Sequence, residues 1–254
     1  MRLRCLALAA ILLPAVASAE SLVVALSTER IGITSNFTGA DLALFGSIER
    51  DAGTIARAGN YDIVVTVLGP RGSVVVREKR NWGPLWLNLD QRKYIAIPAF
   101  IAVLSNRALE AIASPQIRAK LHIGIETLVP PQGDKNRVHD GDEPNFRDAL
   151  IRLRRSQKLF DDNGKAVSFF GSNLFRTNIR IPGTVPLGRY TVEVALFADG
   201  LRLANNATAF NVIKRGVEQQ FTKASRDYGL AYGLATSVIA LFVGWLASVN
   251  FRRD

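Results

Sequence analysis

The stretch Asp41-Leu42-Ala43-Leu44-Phe45-Gly46-Ser47-Ile48-Glu49 sets Leu42, Leu44 and Ile48 at a period of two. Successive side chains of an extended segment point to opposite faces, so this spacing predicts a strand with one face buried. Short β-prone runs precede it at residues 22–26 and 30–34. Beyond it, Asp62-Ile63-Val64-Val65-Thr66-Val67-Leu68 leads into the turn cluster Gly69-Pro70-Arg71-Gly72 and then Ser73-Val74-Val75-Val76-Arg77. Two β-prone runs around such a cluster predict a hairpin.

The same grammar returns late in the chain. Residues 174–181 read as a strand, Pro182-Gly183-Thr184-Val185-Pro186-Leu187-Gly188 as a proline-bounded turn, and Arg189-Tyr190-Thr191-Val192-Glu193-Val194-Ala195-Leu196-Phe197 as a second strand. Asp199-Gly200 is a tight hairpin signal, with residues 208–213 as the last strand.

The middle changes period. Pro98 suits the first turn of a helix in which Ile101, Leu104, Ala108 and Ile112 recur every three to four residues, with Ser114-Pro115 ending it. Residues 129–141 have loop composition, and Asp142-Glu143-Pro144 resembles a cap and first turn. A helix from Pro144 to about Phe160 would carry Phe146, Leu150, Leu153 and Phe160 on one face and Arg147, Arg152, Arg154, Arg155 and Lys158 elsewhere, with Asp161-Asp162-Asn163-Gly164 stopping it. Neither strand group alone supplies the roughly seven strands of a sandwich. The expected fold is therefore mainly β: one immunoglobulin-like sandwich over residues 20–216 with a helical insertion at about 98–160. Two small domains are the alternative.

The chain ends bear on location. Residues 228–251 form a run of 24 without a charge, followed by Arg252-Arg253-Asp254. That exceeds the ~20 residues a helix needs to cross the hydrocarbon core, so a transmembrane helix is expected there, after a helical stem at 217–227. Residues 6–16 form a shorter apolar stretch behind Arg2 and Arg4, closed by Ala17-Ser18-Ala19, which fits a signal peptide over 1–19 cleaved before Glu20. Arg252 and Arg253 would stay inside. The expected location is a bacterial inner membrane, single-pass, with the N-terminal domain in the periplasm and residues 252–254 as a cytoplasmic tail.

Composition narrows the classes further. The one cysteine, Cys5, lies within the expected signal, so a mature chain would contain no disulfide. Removing residues 1–19 takes two of the 32 basic residues and none of the 22 acidic ones, leaving a formal balance of +8. A moderate basic bias suits a surface beside an anionic membrane. Nucleic acid is not expected as a partner outside the cytoplasm.

Three features together resemble an uncharacterised alphaproteobacterial family of transmembrane proteins of about this length. One is the topology of signal, external domain and C-terminal helix. The second is Trp82-Gly83-Pro84-Leu85-Trp86-Leu87-Asn88, in which Gly83, Trp86 and Asn88 form a Gly-x-x-Trp-x-Asn pattern. The third is Pro98-Ala99-Phe100 with Ser105-Asn106-Arg107-Ala108-Leu109 beyond it. The resemblance covers nearly the whole chain and implies topology; it implies no catalytic residues.

Few residues offer chemistry. Trp86 is expected to plug the core and Asn88 to cap a turn; the competing reading makes Trp82, Trp86 and Asn88 an exposed docking or carbohydrate platform. Arg147, Arg154 and Arg155 are expected on a solvated basic face that would otherwise meet lipid headgroups or an acidic partner. His139-Asp140-Gly141-Asp142-Glu143 lacks the spacing of a calcium loop or a zinc set, so no metal and no cofactor are expected. His122, in Ala119-Lys120-Leu121-His122-Ile123-Gly124, reads as a structural histidine in an apolar setting. In the C-terminal run Gly229, Gly233, Ser237, Ala240, Gly244 and Ser248 fall within an arc of about 100°, a face that permits close helix packing.

The expected function is a non-enzymatic, membrane-anchored accessory protein of an inner-membrane complex. It would pack against a membrane-protein partner, such as a transporter, or against itself through the helix. A tethered binder of cell-wall polymer or anionic lipid is the first alternative and a membrane-bound periplasmic hydrolase the second.

Overall fold

The computed structural model describes residues 20–34, 37–50, 61–131, 143–215 and 229–251. The expected signal peptide, the stem and the cytoplasmic tail lie outside these residues. The described chain is mainly β. Four strands, β1 (Glu20–Leu26), β3 (Gly39–Arg50), β10 (Leu174–Pro182) and β9 (Val167–Phe170), form one antiparallel sheet in the order β1-β3-β10-β9. A second sheet runs β2-β12-β11-β4-β7-β8, from β2 (Arg30–Ile33), β12 (Leu201–Lys214), β11 (Gly188–Ala198), β4 (Asp62–Leu68), β7 (Ile101–Ser105) and β8 (Phe160–Asn163). Its inner strands are antiparallel, while β2 on β12 and β8 on β7 are parallel. With β1, β3, β9 and β10 as A, B, D and E, and β4, β11 and β12 as C, F and G, both sheets follow the strand order of immunoglobulin-type sandwiches.

The period-two reading of residues 41–49 holds. Leu42, Leu44 and Ile48 are buried, and the fourth inward position of β3 is Gly46. Register sets Gly46 opposite Phe175 of β10, and a Cβ on Gly46 would lie 2.1 Å from Phe175 Cζ. The glycine therefore makes room for a ring that fills the space between the sheets.

Across the core, Val192, Val194 and Leu196 of β11 pair in register with Val67, Val65 and Ile63 of β4, and all six are buried. Tyr190, on the same face, donates its hydroxyl to Pro186 O at 2.7 Å. Its ring stacks on Phe210 at 5.0 Å and meets Phe100 at 5.9 Å. A tyrosine near the start of the F strand bonded back to the preceding backbone is a recurrent corner of this architecture. Burial pushes the Tyr190 phenol far above its ordinary range, so it serves as a donor at any physiological pH. Asp199 and Gly200 both have positive φ, 51° and 80°, as the expected tight turn between β11 and β12 requires.

Several expectations are corrected. Residues 62–68 do not form a hairpin with 73–77: β4 pairs with β11 and β7, while β5 (Arg71–Trp82) pairs with β6 (Leu85–Pro98) in a separate ribbon. Gly69 N to Phe100 O at 2.8 Å and Ala99 N to Pro70 O at 2.9 Å close the ribbon at its base. Pro98 ends β6 instead of opening a helix, and Ile101 and Leu104 belong to β7, whose five residues are all buried. A strand covered on both faces carries no alternation, so chance spacing imitates a helix there.

The helices of the insertion start later than expected, as α1 (Leu109–Ile112), α2 (Pro115–Lys120), α3 (Ile125–Leu128) and α4 (Glu143–Ser156), between β7 and β8. Ser114-Pro115 begins a helix instead of ending one: Ser114 Oγ accepts from Ile117 N at 3.4 Å, and Pro115 takes the first turn. In α4, Phe146, Leu150 and Ile151 are buried, whereas Leu153 is exposed and Phe160 has passed into β8. The α4 turn closes at Lys158, with φ 58° and Leu159 N bonding back to Arg154 O, before the Asp161-Asp162-Asn163-Gly164 stop. One buried cluster takes side chains from both sheets, the ribbon base and α3 and α4.

Gly46→Ala should test the close approach of β3 to the Phe175 ring of its neighbour β10. The added methyl has no space beside Phe175, and overpacking of this kind costs about 1–3 kcal/mol. Thermal unfolding should show a Tm fall of several degrees; an unchanged Tm would mean that Phe175 moves aside freely.

Candidate functional site

The longest strand pair outside the sandwich is also its most unusual surface. Val76, Tyr94 and Ile97 bury the base of the β5–β6 ribbon, and the Arg92 guanidinium lies 6.0 Å from the Phe146 ring of α4. Pairing continues to the tip through Asn81↔Trp86 and Trp82↔Leu85, with Gly83 at φ 64° and Pro84 making a two-residue turn. There Trp82 is 71% exposed, Trp86 68%, Leu85 58% and Leu87 38%. Trp86 is therefore no core plug, and Asn88 lies in a paired strand opposite Lys79 instead of capping a turn. Alternation sets Trp82, Leu85 and Leu87 on one face of the ribbon and Trp86 and Asn88 on the other.

The basic helix resolves differently. Arg147 donates from Nε to Val129 O at 2.7 Å and from Nη2 to Glu126 O at 2.5 Å, satisfying carbonyls at the end of α3. Arg154 is partly buried, which lowers its pKa by desolvation, and it reaches Gln157 Oε1 at 3.4 Å. Arg155 pairs with Asp162 at 2.7 Å, both half exposed, a pair worth little in water. These three arginines bind their own domain rather than one common ligand site.

A polar cluster that the residue-by-residue reading missed lies where β4 begins and β7 ends. Asp62, fully buried, accepts from Arg107 Nε at 2.7 Å, from Arg107 Nη2, and from Asn106 Nδ2 at 2.9 Å. Asn106 Oδ1 in turn accepts from Ile63 N at 3.0 Å. The pairing raises the Arg107 pKa, chiefly through the hydrogen bond to Asp62. With Asp199 of the β11–β12 turn these residues line an open cavity of about 300 Å³. The only sequence signal for it was Ser105-Asn106-Arg107, quoted above for its resemblance; Asp62 lies 45 residues away from Arg107. A carboxylate bonded to a guanidinium and an amide acts as a clamp between the start of β4 and the end of β7.

His122 is exposed in a left-handed turn after α2, with φ 52°, and not in the apolar setting expected for it. Among the described residues no three His, Cys, Asp or Glu side chains gather as a metal site, and residues 139–142 lie outside them.

The last element is α5 (Gly229–Phe251), 23 residues long. Leu234, Val238, Ile239, Leu241, Phe242, Val243, Trp245 and Leu246 are all exposed along it. A Cβ added at Gly229, Gly233 or Gly244 would meet nothing, and Ser237 turns its hydroxyl back to Gly233 O at 2.8 Å. Ala240 and Ser248 are exposed as well. Among the described residues no helix is long and apolar enough to cross a membrane. In sequence, residues 229–251 contain no Asp, Glu, Lys or Arg. The family model described as "Putative transmembrane protein" matches residues 21–253. The chain belongs to that family. Its members are described as membrane proteins, and the matched span includes the sandwich, the ribbon and α5. No curated protein and no solved structure matches the chain.

Clamp and tip should separate in stability measurements. Asp62→Ala leaves the half-buried Asn106 amide without its acceptor and releases the half-exposed Arg107 guanidinium to water, and should cost about 1–2 kcal/mol in urea unfolding of the detergent-solubilised chain. Trp82→Ala with Trp86→Ala should stay within about 0.5 kcal/mol of the parent, as substitutions of exposed side chains do. A large loss in the double variant would mean that the tip is packed.

Proposed function

We propose that the chain is a non-enzymatic interaction protein, anchored in a bacterial inner membrane by α5 and presenting an immunoglobulin-like sandwich to the periplasm as part of a membrane complex. The observation that carries this reading is α5 itself: 23 residues without a charge, with large apolar side chains that nothing else in the described chain covers. Water does not tolerate so continuous an apolar surface, whereas hydrocarbon does. The membership in a family described as transmembrane supports the same reading. Gly229, Gly233, Ser237, Ala240, Gly244 and Ser248 would be the contact face, where small side chains let a second helix approach closely. That partner is a membrane protein, a transporter among the candidates, or a second copy of the chain.

The test is an in-cell photocrosslinker at Leu234, beside this face, followed by purification of the membrane complex. One reproducible crosslinked species is expected, weakened several-fold by Gly233→Leu. Extraction of the chain from membranes by alkaline carbonate, or crosslinks unaffected by Gly233→Leu, would overturn the reading.

A further inference from the structure

The β5–β6 ribbon extends well past the point where it contributes to the core. Val76 and Tyr94 are its outermost buried residues, and none of the residues described between 77 and 93 is buried. Five further pairing steps, at about 3.4 Å each, carry the tip roughly 17 Å beyond the Arg77↔Gln91 pair. The sequence is uncharged from Asn81 to Leu89, and five basic residues against two acidic ones stand behind it between 77 and 93.

From these features we infer that the ribbon tip inserts into the headgroup interface of an anionic lipid bilayer, the outer leaflet of the membrane that holds α5. The inference rests on α5 being the anchor. Two observations select lipid over a protein groove, and a third sets the depth. Trp82, Leu85 and Leu87 project from one face of the ribbon and Trp86 from the other, so the medium that covers them must surround the tip, whereas a protein groove takes one face. The ribbon has only two strands, so the outward backbone groups of both edges need water or headgroups, which holds the tip at the interface and out of the hydrocarbon core. Tryptophan seeks the membrane–water interface, and a cationic collar behind an uncharged tip places Arg77, Lys79 and Lys93 where anionic headgroups lie. The tether adds a geometric argument. Fourteen residues separate Lys214, where β12 ends, from Gly229, a reach of roughly 50 Å at full extension, so an anchored sandwich stays close to the bilayer.

The test uses the full chain with Trp245→Phe, which leaves Trp82 and Trp86 as the only tryptophans. The protein is reconstituted into vesicles of equal parts phosphatidylglycerol and phosphatidylcholine, with or without bromine on the upper acyl chain. The expected result is a blue-shifted emission, quenched by the brominated lipid, with the quenching reduced by high salt or when phosphatidylcholine replaces phosphatidylglycerol. A companion chain with Trp82→Phe and Trp86→Phe reports Trp245 alone. Quenching of Trp245 with an unshifted, unquenched tip would overturn the inference and leave the anchor standing. A blue shift without bromine quenching would do the same, because it puts protein on the tip. Loss of both signals, with the chain washed from the vesicles at alkaline pH, would overturn the anchor as well.

Discussion

The structure turns on β4, a strand buried at every residue from Asp62 to Val67. Such a strand has to be covered twice. On its inner face Ile63, Val65 and Val67 meet the opposite sheet in the common core, which is what closes the sandwich. The other face, continued in β7 by Ile101 and Val103, needs a second cover, and α3 packs at β7 and β8 to supply it. The helical insertion is thus a consequence of central-strand burial. The clamp at Asp62 follows from the same constraint: at the buried start of β4 a carboxylate is tolerated because Arg107 and Asn106, just past the end of β7, bind it.

Burial also decides what could be read in advance. Strands with one wet face announce themselves: β3, β10 and β11 keep alternation, and Asp199-Gly200 demands the turn it makes. From these the sandwich was legible. The strand β7 was not, because Ile101-Ala102-Val103-Leu104 is apolar throughout and its spacing from Ala108 and Ile112 imitates a helical stripe. The pairing of β5 with β6 was hidden for another reason. Local turn signals at Gly69-Pro70-Arg71-Gly72 suggest a hairpin, but strand partners are chosen by total burial, and β4 gains more from β7 and β11.

The candidate sites divide along the same line. A tryptophan contributes the same letter to a sequence whether it fills a core or stands in water, so the exposure of Trp82 and Trp86 emerged only from the ribbon that carries them. Arginines on α4 read as a free basic face, yet Arg147 is spent on α3 carbonyls and Arg155 on Asp162. The clamp residues Asp62 and Arg107 lie too far apart in sequence for spacing to join them, although the Asn106-Arg107 half lay within a motif already singled out.

Among the described residues two uncharged, exposed apolar elements remain after the core is complete: α5 and the ribbon tip. They differ in how rigidly they are held. The tip is fixed by strand pairing that resumes past a bulge at Glu78/Lys79 and runs to the turn, by Val76 and Tyr94 in the core and by Arg92 against Phe146, so its aromatic side chains pay little backbone entropy on meeting a surface. A flexible loop bearing the same residues would have to be ordered first. The packing that fixes the ribbon also couples it to α4, since the Phe146 that meets Arg92 is itself buried in the common core. Any force on the tip is therefore borne by the helical insertion and the sandwich together, which is the mechanical arrangement expected of a projecting contact element and not of a loop that merely joins two strands.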